Sequence, residues 1–103
     1  MTRASTINTA IQYFDTGGFA RDLGELVAHE TESQTPDKAP ELPRYLEQAL
    51  IPRLKAIGFT CSVYRNPVQD AGPFLVAERF ESETQPTILT YGHGDGRPAP
   101  RGR

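Results

Sequence analysis

The sequence is poor in the residues that usually announce a site. It has one cysteine, two histidines and no tryptophan in 103 residues. The lone Cys61 excludes an internal disulfide and suits a reducing compartment. It falls in an alternating apolar pattern, where it reads as core filler. There is no Gly-rich phosphate loop, no Cys-x-x-Cys pair and no Gly-x-Ser-x-Gly elbow, so none of those chemistries has a starting point here. No run approaches the ~20 apolar residues that a membrane helix needs. The N-terminus, Met1-Thr2-Arg3-Ala4-Ser5, leads into a polar helix rather than an apolar signal core. A soluble, cytoplasmic protein with no membrane partner is the expectation.

A basic excess is also missing. The formal net charge is -2, and residues 1–95 carry eight basic side chains against thirteen acidic ones. Nucleic acid is therefore not an expected partner. The last eight residues hold Arg97, Arg101 and Arg103 and no acid. Three arginines are too few for strong attachment to an anionic surface.

What is present is a succession of helix and strand patterns. Ile7, Ala10, Ile11 and Phe14 predict a helix over 6–15, capped by Ser5 or Thr6 and ended by Gly17-Gly18. Phe19, Leu23, Leu26 and Val27 form the stripe of a second helix, with His29 near its end. Residues 31–40 are a polar loop. Leu42, Tyr45, Leu46, Ala49, Leu50, Leu54 and Ile57 mark a third helix. Pro40 and Pro43 fit its first turn, Pro52 predicts a kink near Leu50, and Gly58 is the stop.

Three strand patterns follow, over 59–64, 74–80 and 87–91. The turn at 81–86 is short enough for the second and third to pair as a hairpin. Together these patterns predict an α/β fold, with N-terminal helices packed on a small mixed β-sheet.

The third strand pattern ends in Gly92-His93-Gly94-Asp95, which places an imidazole and a carboxylate two residues apart at a strand's carboxyl end. Ligands and metals often sit at such strand ends. Histidine is a common zinc ligand, and a nearby carboxylate fixes its tautomer and raises its basicity. The spacing alone fits a loop histidine beside a solvated aspartate better than a metal ligand. Tyr91 could support the site. His29 reads as a surface or packing residue, favoured by the helix C-terminal dipole when charged.

The order of these pieces resembles a known family. Phe19–Val27 followed by Thr31-Glu32-Ser33-Gln34, Leu42 through Gly58-Phe59, Phe74-Leu75-Val76-Ala77-Glu78, and Gly92-His93-Gly94-Asp95 together resemble the N-terminal part of a catalytic domain. The domain is that of the zinc metallopeptidases that include acetylornithine deacetylase, succinyl-diaminopimelate desuccinylase and glutamate carboxypeptidases. The resemblance covers nearly all of residues 4–95. It implies a hydrolase of amide bonds in N-acyl amino acids or small peptides, with zinc, or cobalt in its place, as cofactor. His93 would be a metal ligand, and Asp95 the catalytic-site carboxylate that orients it.

The chain departs from the family after Asp95. An apolar pair usually follows there, whereas Gly96-Arg97-Pro98-Ala99-Pro100-Arg101-Gly102-Arg103 stands here. The family's remaining ligands and its glutamate base lie further downstream. Residues 1–95 are thus expected to form the N-terminal part of a metallohydrolase domain and 96–103 a disordered tail. Such a chain is expected to be inactive by itself and prone to self-association. The alternatives are a small non-catalytic interaction domain, and a subunit whose site another chain completes. The change in composition predicts a truncated or frameshifted product, or a trimmed gene model. Sequencing the coding region past the Asp95 codon checks this. A family-like continuation in another frame is expected, and unrelated DNA there refutes it.

Overall fold

The computed structural model describes residues 1–96. Helix α1, Arg3–Asp15, starts three residues earlier than the apolar pattern alone suggests. The cause is a capping box: Ser5 N–H donates to Thr2 Oγ1 at 3.1 Å, and Thr2 N–H donates to Ser5 Oγ at 2.9 Å. Two donors that would otherwise be unpaired are satisfied together.

Gly17, at φ 89°, makes the left-handed turn into α2, Gly18–Val27. Gly18 is buried against the ring of Tyr13, which leaves no room for a side chain. Phe14 and Phe19 meet across the turn with ring centroids 5.8 Å apart.

The polar loop after α2 contains one short 3-10 turn, Pro36–Lys38. The third helical stretch then runs as α3, Glu41–Tyr45, a π-helical segment, Leu46–Leu50, and α4, Ile51–Ala56. The kink expected from Pro52 therefore takes the form of a widened turn. Pro52 has no N–H for the carbonyl one turn back, and its ring would collide with that carbonyl. Widening relieves the conflict, and Ile51 N–H reaches Leu46 O instead.

The helix ends in a Schellman motif. Gly58, at φ 94°, donates to Lys55 O at 3.1 Å, and Phe59 N–H donates to Leu54 O at 3.0 Å. This turn leads the chain directly into β1, Thr60–Tyr64.

Strand β1 pairs antiparallel with β2, Phe74–Glu78, in the register Thr60 to Glu78 through Tyr64 to Phe74. The connecting loop closes on Asn66, whose side chain accepts from Val68 N–H and donates to Gly72 O. The mixed α/β character is as expected, but the sheet has two strands and is wholly antiparallel.

The expected strand over 87–91 does not form, so the expected hairpin with β2 is absent. A strand is held by a neighbour's ladder and by a buried face. Here Pro86 withholds an amide at the entrance. The preceding loop is tied into a local turn by Thr84 N–H donating to Ser82 Oγ. Ile88 and Leu89 remain 85% and 93% exposed.

The amphipathic helices also cover less than expected. Helix α1 packs on α2, while α4 lies against β1. An ion pair between Glu25 and Arg53 links α2 to α4. Among the described residues Ala49 is the only apolar side chain that is fully buried. The radius of gyration is 16.6 Å, against about 13 Å for a compact chain of this length. No helix among the described residues is long and apolar enough to cross a membrane. Of the expected tail 96–103, Gly96 pairs with Glu32; residues 97–103, with Arg97, Arg101 and Arg103, lie outside the described residues.

The two glycines of the first helical pair separate backbone strain from helix propensity. Gly17→Ala must hold a left-handed conformation and is expected to cost about 1 kcal/mol. Gly24→Ala lies within α2 and meets nothing within 4 Å, so it is expected to gain about 0.5–1 kcal/mol. Urea unfolding followed by circular dichroism checks this, and midpoints moving in the same direction would refute it.

Candidate metal centre

The segment Tyr91–Gly96 is held by the loop that follows α2. Thr31, only 7% exposed, donates from Oγ1 to Gly94 O at 2.7 Å. Gly96 N–H donates back to Thr31 O at 2.6 Å. The second bond belongs to a parallel bridge between Glu32 and Gly96, and the first braces it from the side chain. One residue further on, Ser33 Oγ donates to Asp95 Oδ2 at 2.8 Å. Stretches some sixty residues apart in sequence are thereby clamped side by side.

The clamp sets the geometry of the two residues that the motif singled out. Asp95 Oδ1 lies 3.4 Å from His93 Nδ1. On the other side of the imidazole, Tyr91 Oη lies 3.1 Å from Nε2, with the two rings edge to face. A carboxylate facing Nδ1 favours the tautomer protonated there, so Nε2 keeps its lone pair and the Tyr91 hydroxyl donates to it. His93 and Asp95 are 74% and 43% exposed. The Ser33 hydrogen bond is the main reason that the Asp95 carboxyl sits below its ordinary pKa. A backbone amide and His93 add to the effect, and partial desolvation opposes it.

Helix α3 supports the loop from beneath. A side chain at Gly94 would come within 2.7 Å of the Tyr45 ring, so the loop rests on Tyr45 only because this residue is glycine. His29 packs edge to face on the same ring at 5.7 Å, which makes it a packing residue, as expected. A cavity of about 620 Å³ adjoins the loop, lined by Leu42, Leu46, Phe74, Leu89, Tyr91 and His93 among others.

The structure therefore brings His93, Asp95 and Tyr91 together. It adds Thr31, Ser33 and Tyr45, whose roles the sequence reading missed. The only local signal was a Thr-x-Ser spacing that puts two hydroxyls on one side of extended chain. Nothing in it points to a partner so far away. Among the described residues, no group of three or more His, Cys, Asp and Glu side chains is placed to hold a metal ion. None of the protein-family models, curated proteins or solved structures compared with the chain matches it.

The lowered Asp95 pKa ties the loop to pH. Because the folded-state value lies below the unfolded one, its stabilisation is fully present above the ordinary carboxylate range. It is lost as pH falls through the lowered value. Ser33→Ala is expected to raise the Asp95 titration midpoint toward that of a free aspartate. Carbon-13 spectra of the Asp95 carboxyl measure this, and an unchanged midpoint would contradict the assigned cause.

Proposed function

We propose that this chain carries the first metal-ligating loop of a zinc-dependent hydrolase of amide bonds. Its fold would be the N-terminal part of a zinc-aminopeptidase-like catalytic domain. The observation that carries the reading is the sandwiched imidazole: a carboxylate at Nδ1, and at Nε2 a lone pair that accepts from the Tyr91 hydroxyl and would donate to a cation taking that hydroxyl's place. This is how carboxylate–histidine pairs present a ligand atom to zinc. The residues fit one arm of such a centre, with His93 as the ligand and Asp95 as its orienting carboxylate. Zinc, when bound, supplies the Lewis acid that polarises a scissile carbonyl and acidifies water.

A zinc centre needs about three or four ligands, and His93 is one. By itself the chain is therefore proposed to be inactive toward N-acyl amino acids and small peptides. The free Cys61 is in keeping with a cytoplasmic location.

A second reading, a non-catalytic interaction domain, draws on the exposed surface. The chain exposes 9042 Å², against about 5,800 Å² for a compact monomer of this mass. Phe14, Val27, Phe80 and Tyr91 are among the apolar side chains left open. Self-association would cover part of this surface under either reading.

Two measurements separate the readings. Zinc added to the nitrogen-15-labelled chain is expected to move or broaden the His93 Nε2 signal, and the His93→Ala chain is expected to lose that response. No response at Nε2 would sink the ligand assignment and leave the interaction domain. Assay with zinc or cobalt against N-acyl amino acids is expected to show no turnover. Robust turnover that vanishes in His93→Ala would overturn the proposed inactivity.

A further inference from the structure

The clamp acts on two different parts of the loop. Thr31 fixes the backbone at the Gly94 carbonyl, and Ser33 fixes the neighbouring carboxylate at Oδ2. An aspartate with only its backbone held can still turn about two side-chain torsions. With Oδ2 engaged by Ser33, the oxygen left to face His93 Nδ1 is Oδ1, at 3.4 Å. The imidazole itself is 74% exposed and has the Tyr91 ring packed on it, edge to face. Its orientation depends on Asp95 at one nitrogen and Tyr91 at the other.

We propose that Ser33 is a positioning residue for His93. By holding the Asp95 carboxylate toward Nδ1, it keeps the imidazole protonated there and the lone pair on Nε2, where it accepts from Tyr91 or donates to a group that replaces that hydroxyl. Thr31 is the second arm of the same device, because it sets where the Gly94-Asp95 backbone lies. The use of that donor atom for a divalent cation rests on the function proposed above, whereas the positioning requires no metal.

Long-range proton–nitrogen spectra of the labelled, metal-free chain test the proposal at a pH where His93 is neutral. In the unmodified chain His93 is expected mainly as the Nδ1-protonated tautomer. Ser33→Ala is expected to lower the ratio of Nδ1–H to Nε2–H by about threefold, the effect of one modest hydrogen bond. Ser33→Thr keeps the hydroxyl and is expected to restore the ratio. The His29 signals and the β1–β2 amides report whether each variant is folded. Should Ser33→Ala unfold, Thr31→Val decides, with a fall in the same ratio expected. An unchanged ratio in the folded variant, or Ser33→Thr behaving as Ser33→Ala does, overturns the proposal. Zinc titration of the unmodified chain tests the metal reading separately, so either can fail alone.

Discussion

The pairing of Thr31 with Gly94 and Gly96 is the contact on which the rest of the site depends. Without it, residues 87–96 would have neither a ladder nor a buried face to hold them, since Ile88, Leu89 and Tyr91 all lie open to solvent. Thr31 is nearly buried and uses both its hydroxyl and its carbonyl in the pairing. A small β-branched residue suits this position. Its stiff χ1 holds the hydroxyl where the Gly94 carbonyl lies. Once the backbone is fixed there, Ser33 reaches the next carboxylate and the orientation of His93 follows.

The third helical stretch, a rod from Glu41 to Ala56, contributes through Tyr45, the last residue of α3 and the first before the π-helical turn. The ring lies under Gly94 and beside His29, joining α2, the rod and the candidate loop in one small cluster. Pro52 has an indirect role here. The widened turn it imposes lies between Tyr45, which supports the loop, and α4, which meets β1. A feature that sequence reads simply as a helix breaker thus separates the part of the rod under the loop from the part on the sheet.

The parts of the fold legible in sequence are those whose cause is local. Helices α1 and α2 and the rod follow from apolar spacing and from glycine or capping residues within a few positions, and the Gly58 stop is a local motif. Strands β1 and β2 show their alternation and close a loop of nine residues between them. Thr87–Tyr91 carries an equally good apolar run, yet a strand also requires a partner edge, and no local pattern supplies one. The candidate site divides in the same way. His93 and Asp95 are visible as a motif two residues wide. The Thr31 and Ser33 contacts join residues 63 and 62 positions apart, a separation at which spacing carries no information.

An estimate of energies explains why the clamp and the exposed apolar surface belong together. Closing a flexible loop of about 60 residues costs roughly 3–4 kcal/mol in chain entropy. The three hydrogen bonds of the clamp return about 3 kcal/mol in total. The two nearly cancel, so the clamp holds only because the intervening chain is already shortened by the rod and the β1–β2 pair, and because Gly94 rests on Tyr45. The rod and the sheet have in turn a core with one fully buried apolar side chain, Ala49. Covering the exposed Val63, Tyr64, Phe74 or Val76 of the two strands would stabilise the sheet, and with it the shortened chain on which the clamp depends.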